Sequence, residues 1–164
     1  MVDITEASAI VAAVGILVGV VYYILDMRQQ GRMRQTDFIA RLYSTYGSKE
    51  FHDMLMEIQS LQFNDYEDFV KKYGLWASKG SAQTAIFVIS TFFTEIGTFL
   101  RRGIIDIDFF CDIFGYTSVK WNWEKVKPVV LGLRQFFNDP KVFQPFEYLY
   151  EEVKKRQQKG VVSG

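Results

Sequence analysis

Nineteen consecutive residues, Ala7 to Leu25, carry no charge and are nearly all Ala, Val, Ile, Leu or Gly. At 1.5 Å of rise per residue, a helix of about 20 residues matches a hydrocarbon core of roughly 30 Å, so the run has the length of a membrane span. It also lacks a polar face. A core helix of this length in a small soluble domain normally shows one stripe to water, which makes a span the better reading than a buried soluble helix.

The flanks give it a direction. Asp3 and Glu6 precede the run and Arg28, Arg32 and Arg34 follow it, the bias that leaves the N-terminus outside and the C-terminal side in the cytoplasm. Tyr22 and Tyr23 lie near that boundary, where an aromatic belt forms. A cleaved secretory signal needs a positive start and a small-residue cleavage site, whereas this N-terminus is acidic and the run flows into Asp26 and Met27. The expectation is an uncleaved single-pass anchor in the cell membrane, residues 1–27.

With 164 residues in all, the remainder holds one further domain, expected over 28–158 with a flexible tail over 159–164. The anchor helix continues past the membrane, because no Pro and only Gly31 interrupts a helix-compatible string up to Tyr46. Phe38, Ile39, Leu42, Tyr43 and Tyr46 then fall on one amphipathic face, and Gly47 followed by Ser48 reads as a stop and an N-cap. Short amphipathic helices follow, one carrying Phe51, Met54, Leu55, Ile58 and Leu61, another restarting after Asn64 and ending at Gly74. Ser81 is placed as the cap of the next.

Residues 82–102 form the strongest apolar run after the anchor and raise the question of a second span. Thr84, Thr91, Glu95, Thr98 and Arg102 recur at helical spacing as a narrow polar stripe, which favours the central helix of a bundle. A charge near the middle of a span also costs roughly 2.5 to 3.5 kcal/mol on insertion scales. Asp106 is placed as the cap of a short helix ending at Gly115, Thr117 or Ser118 as the start of a longer one interrupted at Pro128, and Pro145 to about Gln157 as the last. No strand-like alternation of convincing length is present. The fold class is therefore all-α, a transmembrane helix running into a compact cytoplasmic bundle of about six helices. Aromatic residues, 16% of the chain with 15 Phe, supply the volume for its core.

Chemistry is harder to find. Basic and acidic residues balance at 19 each, so no overall field draws the chain to nucleic acid, and none is expected as a partner. One cysteine, Cys111, forbids an internal disulfide and a CxxC pair. Asp106, Asp108 and Asp112 invite a metal, but the glycine and distal glutamate of a calcium loop and the Glu-x-x-His pairs of a helical di-metal site are missing. His52, the single histidine, would need a distant Cys or Ser, and Cys111 between Phe110 and Asp112 reads as a packed thiol. Glu95 reads as a solvated or paired carboxylate. "GLWASKGS", residues 74–81, lacks the spacing and the preceding strand of a phosphate loop. Trp121 and Trp123 stand two apart and cannot share a helical face, so one packs and the other lies at the rim, the alternative being that it meets the membrane surface or a partner. No catalytic, cofactor or metal residues are assigned.

Binding features are more legible. Ser8, Ala12, Gly15 and Gly19 make a continuous small-residue face with a GxxxG pair, the arrangement that lets helix backbones approach closely in lipid. They are the candidate helix-pairing residues. Arg28, Arg32 and Arg34 are the candidate membrane-surface and topology residues, each worth about 1 kcal/mol near an anionic leaflet.

The order of segments is itself informative: "YYILDMRQQGRMRQ" at the end of the span, then "RLYSTYGSKEF", "LRRGIIDIDFFCDIFG" and "FNDPKVFQPFEYLYEEVKKR". Nearly the whole chain resembles a broad group of uncharacterised archaeal and bacterial single-pass proteins, grouped as domains of unknown function, in which a helical cytoplasmic domain hangs from an N-terminal anchor. That resemblance implies topology and fold and carries no site residues. The expected role is a membrane-anchored interaction or scaffold protein, possessing no evident catalytic site. Its partners are membrane lipid and either a copy of itself or another membrane protein. The rival expectation is a membrane-bound enzyme, or a lipid or stress sensor, with an active site not recognisable from sequence, for which His52, Glu95, Asp106 and Asp108 are the weak candidates.

Overall fold

A computed structural model of the protein describes the backbone of residues 4–76, 78 and 80–162 and the side chains of 15–27, 38–76, 78 and 80–158. Its secondary structure is entirely helical among those residues. The order is α1 (Ile4–Tyr46), α2 (Lys49–Ser60), α3 (Tyr66–Tyr73), α4 (Ser81–Arg101), α5 (Ile107–Phe114), α6 (Tyr116–Phe137) and α7 (Gln144–Val162). Two compact units are present, Met1–Ser44 and Thr45–Gly164.

The first unit is the bulk of α1, which runs without a break through Gly31. Ten large apolar side chains between Ile16 and Met27 stand in the open, from 44% exposed at Ile24 to 72% at Tyr22.

The second unit is built around α4. Ala85, Ile86, Ile89, Phe93 and Ile96 are completely buried on it, while Thr84 and Glu95 face solvent and Thr91 and Thr98 are half-buried, so the polar stripe anticipated from sequence is the helix's outer edge. By length and apolarity α4 is the one described helix that passes for a span. Its place is nevertheless the middle of the bundle, with α7, α2 and α6 packed on it. Those helices turn charged faces outward, which identifies α4 as a core helix.

Aromatic side chains bind the layers together. Phe93 of α4 stacks on Phe146 of α7 with centroids 4.8 Å apart, and Trp123 of α6 meets the same ring edge-on at 5.0 Å. At the other end Tyr46 contacts Phe51 at 5.5 Å and Phe114 at 5.2 Å, and its hydroxyl donates to Ser118 Oγ at 2.8 Å. Each fully buried ring of this kind is worth roughly 1.5 to 3 kcal/mol of transfer free energy.

Helix ends follow local chemistry. Ser48 caps α2 by accepting from the Phe51 amide at 3.2 Å, Asp65 caps α3 through Asp68, and Asp106 caps α5 through the amides of Asp108 and Phe109. Two expected caps fall elsewhere. Gly80, with no side-chain bond, precedes α4, and Ser81 is already helical. The tie there is Gln83, whose amide nitrogen donates back to the carbonyls of Tyr73 and Gly74 and holds the α3–α4 loop down. Likewise α6 begins at Tyr116 directly after Gly115, whose φ of 73° turns the chain, leaving Ser118 free to receive Tyr46. Pro128 lies inside α6, which continues through it. Asn138 ends that helix in the left-handed conformation, φ 51°. The last helix, expected to about Gln157, is helical to Val162.

Gly132 on α6 faces the ring of Tyr66 on α3 so closely that any Cβ there would overlap the ring's inner carbons. Gly132→Ala is therefore expected to destabilise by about 2 kcal/mol, and the cost should shrink by more than half in a Tyr66→Gly background, which removes the Cβ that also stands in the way as well as the ring. A thermal-unfolding double-mutant cycle reads this coupling; additive single-site effects would refute the close approach.

Candidate interaction surfaces

The residues singled out for catalysis do not converge. His52 is exposed on α2, its Nδ1 3.2 Å from the Ser48 carbonyl oxygen. Glu95 is exposed on α4, Asp106 is engaged as a cap, and Asp108 pairs with Arg156 of α7. No group of three or more His, Cys, Asp or Glu side chains is placed to hold a metal ion among the described residues.

Cys111 is buried in α5. Loss of solvent, with Asp108 and Asp112 adding repulsion, pushes its thiol up to about 11. At neutral pH the group is a protonated, packed thiol and no nucleophile. Iodoacetamide at pH 8 is expected to leave the folded chain unlabelled and to label it fully in urea. Rapid labelling of the native chain would overturn this placement.

Among the helix-pairing candidates, Gly15 and Gly19 are described, and a Cβ on either would meet nothing within 4 Å. Their face of α1 is open. Ser8 and Ala12, together with Arg28, Arg32 and Arg34, lie outside the residues whose side chains are described. A shallow apolar depression on the same helix is lined by Leu17, Val18, Val21, Tyr22 and Leu25.

On the bundle, the paired tryptophans divide as their spacing requires. Trp123 is 1% exposed and Trp121 is 62% exposed on the opposite side of α6. Sequence spacing predicts that one is inside; the contact with Phe146 selects Trp123. Two clefts along α6 share Glu124, and Trp121 lines the second of them. One, of about 380 Å3, runs between α6 and α7 and is lined by Lys120, Glu124, Tyr150, Val153, Lys154 and two glutamines. The other, of about 450 Å3, is bounded by Gln59, Trp121, Glu124 and Lys125. Neither includes His52, Glu95, Asp106 or Asp108.

Within the first cleft, the Tyr150 hydroxyl donates to Glu124 Oε1 at 3.3 Å and Lys154 Nζ stands 5.8 Å from the centre of the Tyr150 ring. Partial burial, then the Glu124 carboxylate beside it, hold the Tyr150 phenol above its usual range. Such a phenol stays protonated at physiological pH and serves as a hydrogen-bond donor. The cleft left no signal of its own in the sequence, since its two walls stand about 30 residues apart, from Lys120 to Tyr150.

The arrangement defines an all-α bundle whose open features are surfaces and clefts. The chain belongs to the DUF4760 family, a domain of unknown function, which it matches over residues 6–153. No curated protein matches it. No solved structure does either.

Proposed function

We propose that this protein is a single-pass membrane protein, N-terminus outside, whose cytoplasmic helical domain acts as an interaction or scaffold module and whose anchor pairs with another helix. The observation that carries this reading is the unbroken exposure of the apolar side chains from Ile16 to Leu25. Monomeric soluble proteins rarely leave contiguous apolar patches of that extent in water, and lipid is the solvent that suits a surface apolar on every side. The acidic residues before the run and the three arginines after it support the orientation. Small residues Ser8, Ala12, Gly15 and Gly19 support pairing, either with a second copy or with another membrane subunit. A tether also confines the domain's binding surface near the membrane and raises effective concentration without a new contact.

The test is crosslinking in native membranes followed by purification. A recurrent partner, or a dimer of the chain, is the expected product. Gly15→Ile combined with Gly19→Ile is expected to lower dimer crosslinking several-fold, because branched side chains hold the backbones apart. Crosslinking that is unchanged by both substitutions would dismiss the small-residue face.

A further inference from the structure

We propose that the outer face of α6, from its cleft with α7 to its cleft with α2, is the docking site for an acidic amphipathic helix of a partner protein. The inference rests on the interaction reading above and gives it a place and a chemistry.

Three observations carry it. Trp121 is the large exposed side chain of the strip, 62% exposed on the wall of the second, shallower depression, and tryptophan is among the residue types that most often dominate a protein interface. The floor of the first cleft is apolar, with Val153 buried and the Tyr150 ring half-buried. The mouth is basic: Lys120 on the α6 wall and Lys154 on the α7 wall have no carboxylate within 4 Å among the described residues. By contrast Lys155 pairs with Glu152 at 2.7 Å, and Arg156 pairs with Asp108. Glu124, the one carboxylate lining the first cleft, accepts from the Tyr150 hydroxyl and keeps its charge, so the two lysines still leave the cleft with an excess of one positive charge. Two lysines on opposite walls over an apolar floor are complementary to a segment with an apolar stripe and carboxylates on either side of it.

The partner's conformation follows from the fold. The described residues offer helix faces with an apolar floor, and an occupant that bonds its own backbone and presents one apolar stripe, an amphipathic helix, suits such a surface. Nucleic acid fits less well: the chain has no net charge, and the first cleft offers two cations where a phosphate backbone needs many.

The test uses the full-length chain in a mild non-ionic detergent and two fluorescein-labelled amphipathic peptides with the same leucine stripe. One carries Glu and the other Lys on the polar face. Anisotropy is expected to show the Glu peptide binding about tenfold tighter than the Lys peptide, the sum of two exposed ion pairs gained in one and opposed in the other. Lys120→Glu with Lys154→Glu is expected to invert that order, Lys120→Gln with Lys154→Gln to abolish it, and Trp121→Ala to weaken the Glu peptide about tenfold. All three positions are exposed, so unchanged thermal unfolding serves as the folding control. Equal affinities, an order that survives charge reversal, or no binding by either peptide would overturn the proposal. If the peptides fail while crosslinking in native membranes still yields a partner, the interaction reading stands and this groove falls. An absence of any crosslinked partner is what removes the reading itself.

Discussion

Gly97→Val is expected to lower the unfolding free energy by roughly 3 kcal/mol and the melting temperature by about 10 °C. Gly97 sits on the buried face of α4, and a Cβ built there falls inside the van der Waals envelope of the Pro145 carbonyl group at the start of α7. The obstructing atoms are backbone, fixed by a proline ring and by the first turn of a helix, so they cannot swing aside as a side-chain tip does. Relief requires α4 and α7 to separate. That separation also loosens the stack of Phe93 on Phe146, one residue further along α7, and the edge contact of Trp123 with the same ring. Gly97→Ala should fall between the two. Gly15→Ala, where nothing lies within 4 Å, is expected to leave the bundle's transition unchanged. Melting followed by circular dichroism decides the matter; a Gly97→Val chain that melts with the parent would contradict the packing of α4 on α7.

The second large effect concerns solubility. A chain beginning at Gln35 is expected to be soluble without detergent and fully helical, and to melt as the bundle of the full-length chain does. It loses the ten exposed apolar side chains between Ile16 and Met27, while the described core of the second unit, from Phe51 to Val153, stays whole. That core holds the fully buried Phe69, Phe93, Phe146, Ile86, Ile89 and Leu149. Sedimentation and circular dichroism check it. A shortened chain that aggregates or unfolds would mean that the apolar run is part of the domain's own packing.

What was legible in the sequence was what depends on neighbours in the chain. Ser48 and Asp106 cap their helices as their positions before amphipathic runs require, because an N-cap bond reaches only two or three residues ahead. The polar stripe of α4 was visible as spacing, and the division of Trp121 from Trp123 as parity. Less legible were ends set by distant contacts. Ser81 looks like a cap, but Gln83 reaches back to Tyr73 and Gly74, and the loop is held by that amide. Ser118 looks like a helix start, yet its hydroxyl serves Tyr46, 72 residues away. Gly97 and Gly132 have nothing in their local sequence to say that a carbonyl group and an aromatic ring are pressed against them. The cleft over Tyr150 was equally hidden, since each wall alone reads as an ordinary charged helix face.

The central claim is that residues 7–25 hold this chain in a membrane. Alkaline carbonate extraction of membranes carrying the full-length chain, beside the chain beginning at Gln35, tests it most directly. Peripheral proteins leave under that treatment and spanning helices stay, because only the latter lose apolar burial in lipid on removal. The account predicts the full-length chain in the pellet and the shortened chain in the supernatant; a full-length chain released to the supernatant would contradict it.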